Sequence, residues 1–235
     1  MTDKHLSTQF DAELSAISNR VLEMGGLAES QVTQAIYALT QSSAEVAARV
    51  LAAEERVNQM EVDIDRDLSS IIARRQPTAR DLRLLIAVSK SIANLERVGD
   101  EAARIARTVQ RLIGSGVSNR MRLPASDVEL GARLAAASLH NALDAFARLD
   151  TAAALDVIRN DDAIDREFDG LMRKLITYMM EDPRTISACI DLVFVAKSIE
   201  RVGDHAKNLA EQIIYIVKGA DVRHTSMEGL ESALG

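Results

Sequence analysis

The chain contains one cysteine, Cys189, three prolines and four histidines among 235 residues. A single thiol excludes an intramolecular disulfide and a zinc site built from several cysteines, and it favours a reducing compartment. No stretch of about 18 apolar residues is free of charge, so no membrane-spanning helix is expected. The opening MTDKHLSTQF has no apolar h-region of the signal-peptide kind, and a cytoplasmic location is the expectation. Basic clusters are also missing. The 28 basic residues are outnumbered by 35 acidic ones, giving a formal charge of -7, and no Lys/Arg block is present to neutralise a nucleic-acid backbone.

What is abundant is apolar sequence at helical spacing. Hydrophobic residues make up 47% of the chain, enough for one large core or two of about a hundred residues each. Pro77, Pro124 and Pro183 fall between long segments whose apolar residues recur every three or four positions, and none of these segments reads as a strand. With polar breaks at TQSSAE and RLDTAA they divide the chain into six helices, near 6–40, 43–75, 79–114, 126–149, 152–181 and 184–219. GSGVSNRMRLPAS, residues 114–126, is the longest interruption, and Ser126 with Glu129 reads as a capping box. After Lys218 the periodicity weakens and the tail is expected to fray.

The pentapeptide ERVGD occurs at 96–100 and again at 200–204, 104 residues later. Around the first copy, Leu85, Val88, Ile92, Leu95, Gly99, Ala102, Ala106, Val109 and Ile113 form a bundle seam. The same shift lands on Cys189, Leu192, Ala196, Ile199, Gly203, Ala206, Ala210, Ile213 and Val217, again apolar throughout. The chain is an internal repeat. The expected architecture is all-α: a first antiparallel three-helix bundle in residues 1–115, a similar one in 125–219, and a frayed tail, 220–235. Glycine inside a helix costs about 1 kcal/mol relative to alanine, so Gly99 and Gly203 on the seam imply close approach of a neighbouring helix.

Glu96 and Asp100 are four residues apart on one side of their helix, as are Glu200 and Asp204. Like charges at this spacing repel by roughly 0.2–0.5 kcal/mol in an isolated helix, which a cation would offset. Glu61 and Asp65 hold the matching place on the preceding helix of the first half. In the second half, Asp161, Asp165 and Asp169 offer carboxylates at four-residue steps. Facing carboxylates with little histidine or thiolate suit hard or borderline cations such as magnesium, manganese or iron. The plain alternative is a solvated helix face, which a single acidic pair usually is. Arg97 and Arg201 point away from the seam and read as surface ion-pair partners of little energetic weight.

Oxygen-activating di-iron bundles use Glu-x-x-His on two helices. The residues three before His5, His140, His205 and His224 are Thr2, Ala137, Val202 and Asp221, so none qualifies and no catalytic residue is assigned. Cys189 on the seam reads as a packed small residue, and Met60, Met172, Met179 and Met180 read as core filling.

Both ERVGD copies, RQPTARDLRLL at 75–85, ITYMMEDPRTI at 176–186 and VKGADVRH at 217–224 together resemble the PhoU family over nearly the whole chain. The resemblance implies two similar three-helix bundles with multinuclear metal clusters on E/D-x-x-x-D motifs. It would group Glu61, Asp65, Glu96 and Asp100 at one site and Asp165, Asp169, Glu200 and Asp204 at the other. Glu29 and Asp144, on the first helices, are the implied additional acids. Asn58 stands where the family commonly has an aspartate, so the first cluster is expected to differ. The implied function is regulation: the protein restrains a phosphate ABC transporter and represses phosphate-starvation signalling when phosphate is plentiful. Implied partners are the transporter ATPase, a phosphate-sensing histidine kinase and a second copy of the chain, with membrane contact only through partners. A metal storage or sensor protein shares the acids but not the partners.

Overall fold

A computed structural model describes residues 8–114, 125–223, 225 and 227–234. Seven α-helices and no strand occur among them: α1 Thr8–Thr40, α2 Ala44–Arg75, α3 Ala79–Gly114, α4 Glu129–Arg148, α5 Thr151–Glu181, α6 Ile186–Lys218 and α7 Met227–Leu234. Short 3-10 turns, Ala125–Val128 and Pro183–Thr185, lead into α4 and α6.

The six long helices start and stop close to the residues that the punctuation indicates. Ser43 and Asp150 act as N-caps, accepting from Val46 N–H and from Ala152 and Ala153 N–H, which satisfies donors that the first turn leaves open. Gly219 ends α6 in the left-handed region at φ 75, where glycine carries no Cβ penalty. The capping box expected at Ser126 falls on a side chain outside the described residues. Helix α4 begins with Val128 at the N-cap and no side-chain cap.

Two differences from expectation concern hydrophobic placement. The tail carries a seventh helix instead of fraying throughout, because Val222 and Leu230 are 3% and 2% exposed and hold it against the core. Met180 is exposed on α5, whereas Met60 and Met179 pack against the core.

Helices α1, α2 and α3 form one three-helix bundle, and α4, α5 and α6 a second. They are joined along α3 and α6 and along α1 and α4, and a continuous buried apolar core runs through both. Asn94 meets His205 and Asn208, Glu101 meets Arg201, and Arg111 meets Asp191, so α3 and α6 run antiparallel. Their crossing brings the two ERVGD segments level with each other. The seam glycines mark close approaches between helices: a Cβ on Gly99 would stand 3.1 Å from Gln31 Oε1 and 3.4 Å from Val57 Cγ1. One on Gly203 would stand 2.6 Å from Ile164 Cδ1.

Candidate metal centre

The glycine contacts fix the register between the halves. Val57 faces Gly99 and Ile164 faces Gly203, and each lies 14 residues after its helix N-cap, Ser43 or Asp150. Helices α2 and α5 therefore correspond at a shift of 107 residues, whereas α3 and α6 correspond at 104. The path from α5 to the seam glycine of α6 is three residues shorter than its counterpart. At the shift of 107, Glu54 and Asn58 match Asp161 and Asp165, while Glu61 and Asp65 match Phe168 and Met172.

In the second half the acidic face consists of Asp161 and Asp165 on α5 with Glu200 and Asp204 on α6. Asp161 is 4% exposed and bonds Lys207 Nζ at 2.8 Å. Glu200 Oε1 accepts from Lys197 Nζ, while the buried Glu200 Oε2 has no hydrogen-bond partner. Burial, then Glu200, Asp161 and Asp165, raise the Asp204 pKa to about 6. Burial, Asp161 and Glu200 likewise push Asp165 upward. Two lysines thus offset four mutually repelling carboxylates. Asp169, which the sequence placed in this set, lies on the exposed side of α5 and is not among the charges that shift Asp165 or Asp204.

The first half has a more extended acidic face. Burial, then Asp100 and Glu61, raises the Glu96 pKa, with Glu54 contributing in the same direction. Burial, then Asp65, raises that of Glu61; Asp100 adds to the effect and Arg97 opposes it. Glu61, Asp65, Glu96 and Asp100 are therefore electrostatic neighbours, as expected, and Glu54 joins them. Glu54 also takes both of its oxygens to Arg107 Nη2, at 2.7 and 2.6 Å. Arg97 stands 3.6 Å from Glu96 and 3.9 Å from Asp100. Asn58, exposed on α2, supplies a neutral amide where Asp165 stands in the other half.

The two acids on first helices lie elsewhere. Glu29 bonds His140 Nδ1 at 3.0 Å, bridging α1 and α4. Asp144 is exposed and pairs with Arg148, 3.3 Å away on its own helix. Neither is among the charges acting on the shifted acids. Glu54 was missed by the sequence reading, and Asp161 was left out of its site set. The signal that finds both is the pair of side-chain N-caps, which align α2 with α5 independently of ERVGD.

These oxygens have the chemistry of a hard-cation site. Burial and then neighbouring carboxylates raise the pKa values of Glu61, Glu96, Asp165 and Asp204, an electrostatic condition that a divalent ion relieves. Among the described residues, however, no three acids are already gathered as a group that could hold an ion. Side-chain rotation and displacement of Lys207 and Lys197 would be needed in the second half.

Comparison with known proteins gives a consistent result. The PhoU domain family matches residues 21–109 and 128–213, one stretch in each half. A phosphate-specific transport system accessory protein PhoU homolog from Burkholderia sp is 51% identical over 230 residues, 98% of this chain and 97% of that protein. The accessory protein PhoU of Escherichia coli (strain K12) is 45% identical over 232 residues, 99% of this chain and 95% of that one. Among solved structures, PhoU from Pseudomonas aeruginosa superposes with a TM-score of 0.86 at 44% identity, covering 90% of this chain and all of that one (100%). The regulatory PhoU from Streptococcus pneumoniae gives 0.83 at 26% identity, covering 91% and 99% of the two chains. The chain belongs to the PhoU family of phosphate-transport accessory proteins.

Proposed function

We propose that this protein is a cytoplasmic, non-catalytic regulator that restrains a phosphate ABC transporter and represses phosphate-starvation signalling when phosphate is plentiful. The observation that carries this reading is the match of both halves to one family, at full length, with relatives named as accessory proteins of phosphate-specific transport. The absence of any described helix long and apolar enough to cross a membrane agrees with an adaptor that reaches the membrane through its partners. Those partners are the transporter ATPase and a phosphate-sensing histidine kinase, and the working form is a homodimer.

The two carboxylate faces give the regulator its cation sites. In the second half Asp161, Asp165, Glu200 and Asp204 would hold the ion. In the first half Glu54, Glu61, Glu96 and Asp100 would do so, with Asp65 beside Glu61. Iron, manganese or magnesium suits such oxygen donors. When bound, the ion supplies positive charge that cancels carboxylate repulsion and opens coordination positions to oxygen donors of a partner. The chain's own part is to fix these acids on the rigid α2–α3 and α5–α6 pairs.

Complementation tests the role. In a bacterium lacking its own copy, expression of this chain should return a phosphate-starvation reporter to its repressed level in phosphate-rich medium. The transporter ATPase and the kinase should co-purify with the tagged chain. A reporter that stays active despite soluble, folded protein, with neither partner captured, overturns the assignment.

A further inference from the structure

Between the two bundles, where α3 crosses α6, lies an open cleft of about 1090 Å³. Helix α7 closes one side of it through Met227 and Leu230. The cleft is lined by seven cationic side chains and five carboxylates. Lys207, Arg223 and Arg159 pair with Asp161, Asp221 and Asp156 just outside it, which leaves Lys90, Arg97, Arg104 and Arg201 as the cations facing one another across the crossing. Lys90, Arg97 and Arg104 occupy seven-residue steps along one face of α3, so they rise about 10 Å apart along the cleft. Arg201 enters from α6 on the opposite wall.

The charges in this wall are unevenly matched. Glu101, 4% exposed, accepts from Arg104 Nη1 at 2.9 and 3.0 Å and from Arg201 Nη1 at 3.2 Å, so one carboxylate serves two guanidinium groups. Arg97 has acids no nearer than 3.6 Å and makes no hydrogen bond to them. Lys90 lies over the Tyr215 ring, 5.5 Å from its centroid. Gln212, 4% exposed in the same wall, has an Oε1 without a hydrogen-bond partner. Asp100 and Asp204 mark the sides of the cleft nearest the two acidic faces, and Asp162 and Glu211 also line it.

We propose that this cleft binds a small molecule of nucleotide size that carries two or more phosphates. The guanidinium fork matches phosphate oxygens two at a time, and the ammonium of Lys90 is a point charge for a further one. Cations spaced along ~20 Å of helix cannot all be met by a single inorganic phosphate, whereas a chain of phosphates can address successive ones. The volume is at or just above the usual range of roughly 300–1,000 Å³ for small-molecule sites. The orphan Gln212 oxygen and the neighbouring Asn94 and Asn208 offer hydrogen-bonding edges for the rest of the ligand. This site stands on its own residues and does not depend on the transporter assignment.

Isothermal titration calorimetry on the full-length protein, freed of divalent ions with chelator and then exchanged into chelator-free buffer, tests it with ATP, pyrophosphate, inorganic phosphate and citrate. ATP and pyrophosphate should bind more tightly than phosphate or citrate, with affinity falling as salt rises. The Lys90→Gln/Arg97→Gln variant, which leaves the buried Glu101 cluster intact, should weaken ATP binding by at least about tenfold. Glu101→Gln, which frees two guanidinium groups while keeping the side-chain shape, should strengthen it. Circular dichroism of each variant establishes that it is folded. No binding by the wild type at millimolar ATP overturns the proposal. So does equal affinity for citrate or inorganic phosphate, or an unchanged ATP affinity in the folded double variant.

Discussion

Asp204 sits on the solvent-facing side of α6 among three other carboxylates, and its proton is held more firmly than in the free side chain. Its pKa of about 6 lies above the value of 3.8 for the free side chain, owing to burial and to Glu200, Asp161 and Asp165. As pH rises the unfolded chain therefore loses this proton first. The stability contribution of Asp204 is complete below about pH 4 and is lost as pH passes 6. Urea unfolding of metal-free protein should show stability falling between pH 4 and 6.5, and Asp204→Asn should flatten that slope and raise stability at pH 7.5. A slope unaltered by the substitution would detach the pH dependence from this carboxylate. Asn58 supports a complementary prediction. Asn58→Asp restores the carboxylate that the second half has at Asp165, so it should tighten cation binding in the first half and lower metal-free stability at pH 7, both measurable by calorimetry. The acidic pairs on single helices were legible in the sequence, because carboxylates four apart on one helix share a side whatever the fold. Their pairing across helices was only partly legible. The sequence grouped Asp165 and Asp169 with Glu200 and Asp204, whereas the charges that raise Asp204 are those of Glu200, Asp161 and Asp165, and Glu54 acts on Glu96 in the first half.

Helix ends and seam positions were readable because local chemistry determines them. Caps, prolines and apolar spacing act within a few residues, and the seam glycines reported close approach before any partner was known. The register of α2 and α5 was not readable from ERVGD, since it depends on a path three residues shorter in the second half. Glycine substitutions test the element-level account by sign. Gly203→Val adds bulk where Ile164 Cδ1 stands 2.6 Å from the Cβ position, and should destabilise by about 1–3 kcal/mol. Gly170→Ala, on α5 with no atom within 4 Å of the new Cβ, should stabilise by up to about 1 kcal/mol. Denaturant midpoints of the two variants moving in the same direction would contradict the packing described. The caps give a further check: Ser43→Ala and Asp150→Ala should each cost about 0.5–2 kcal/mol in the same measurement.

At the scale of the whole molecule, duplication yields two similar bundles that are not electrostatic copies. Glu101 follows the first ERVGD and His205 follows the second, so only one side of the α3–α6 crossing has a carboxylate for the opposing arginine. Arg201 reaches across the bundle boundary to buried Glu101, a tertiary role that the expectation of a surface ion pair did not anticipate. Burial and the nearby guanidinium groups of Arg97 and Arg201 lower the His205 pKa against the pull of Glu101, which keeps the ring neutral beside Asn94. The sequence could reveal the repeat but not this docking, because antiparallel contact between α3 and α6 leaves no periodic mark of its own. The central claim is that each bundle holds a cation on its own paired carboxylate face. Manganese titration of metal-stripped protein by calorimetry, using the wild type, Glu96→Gln/Asp100→Asn and Glu200→Gln/Asp204→Asn, tests it most directly. Each folded double variant should lose the binding of one half and keep that of the other. Wild-type protein that takes up no manganese, or uptake unchanged in both variants, would contradict the claim.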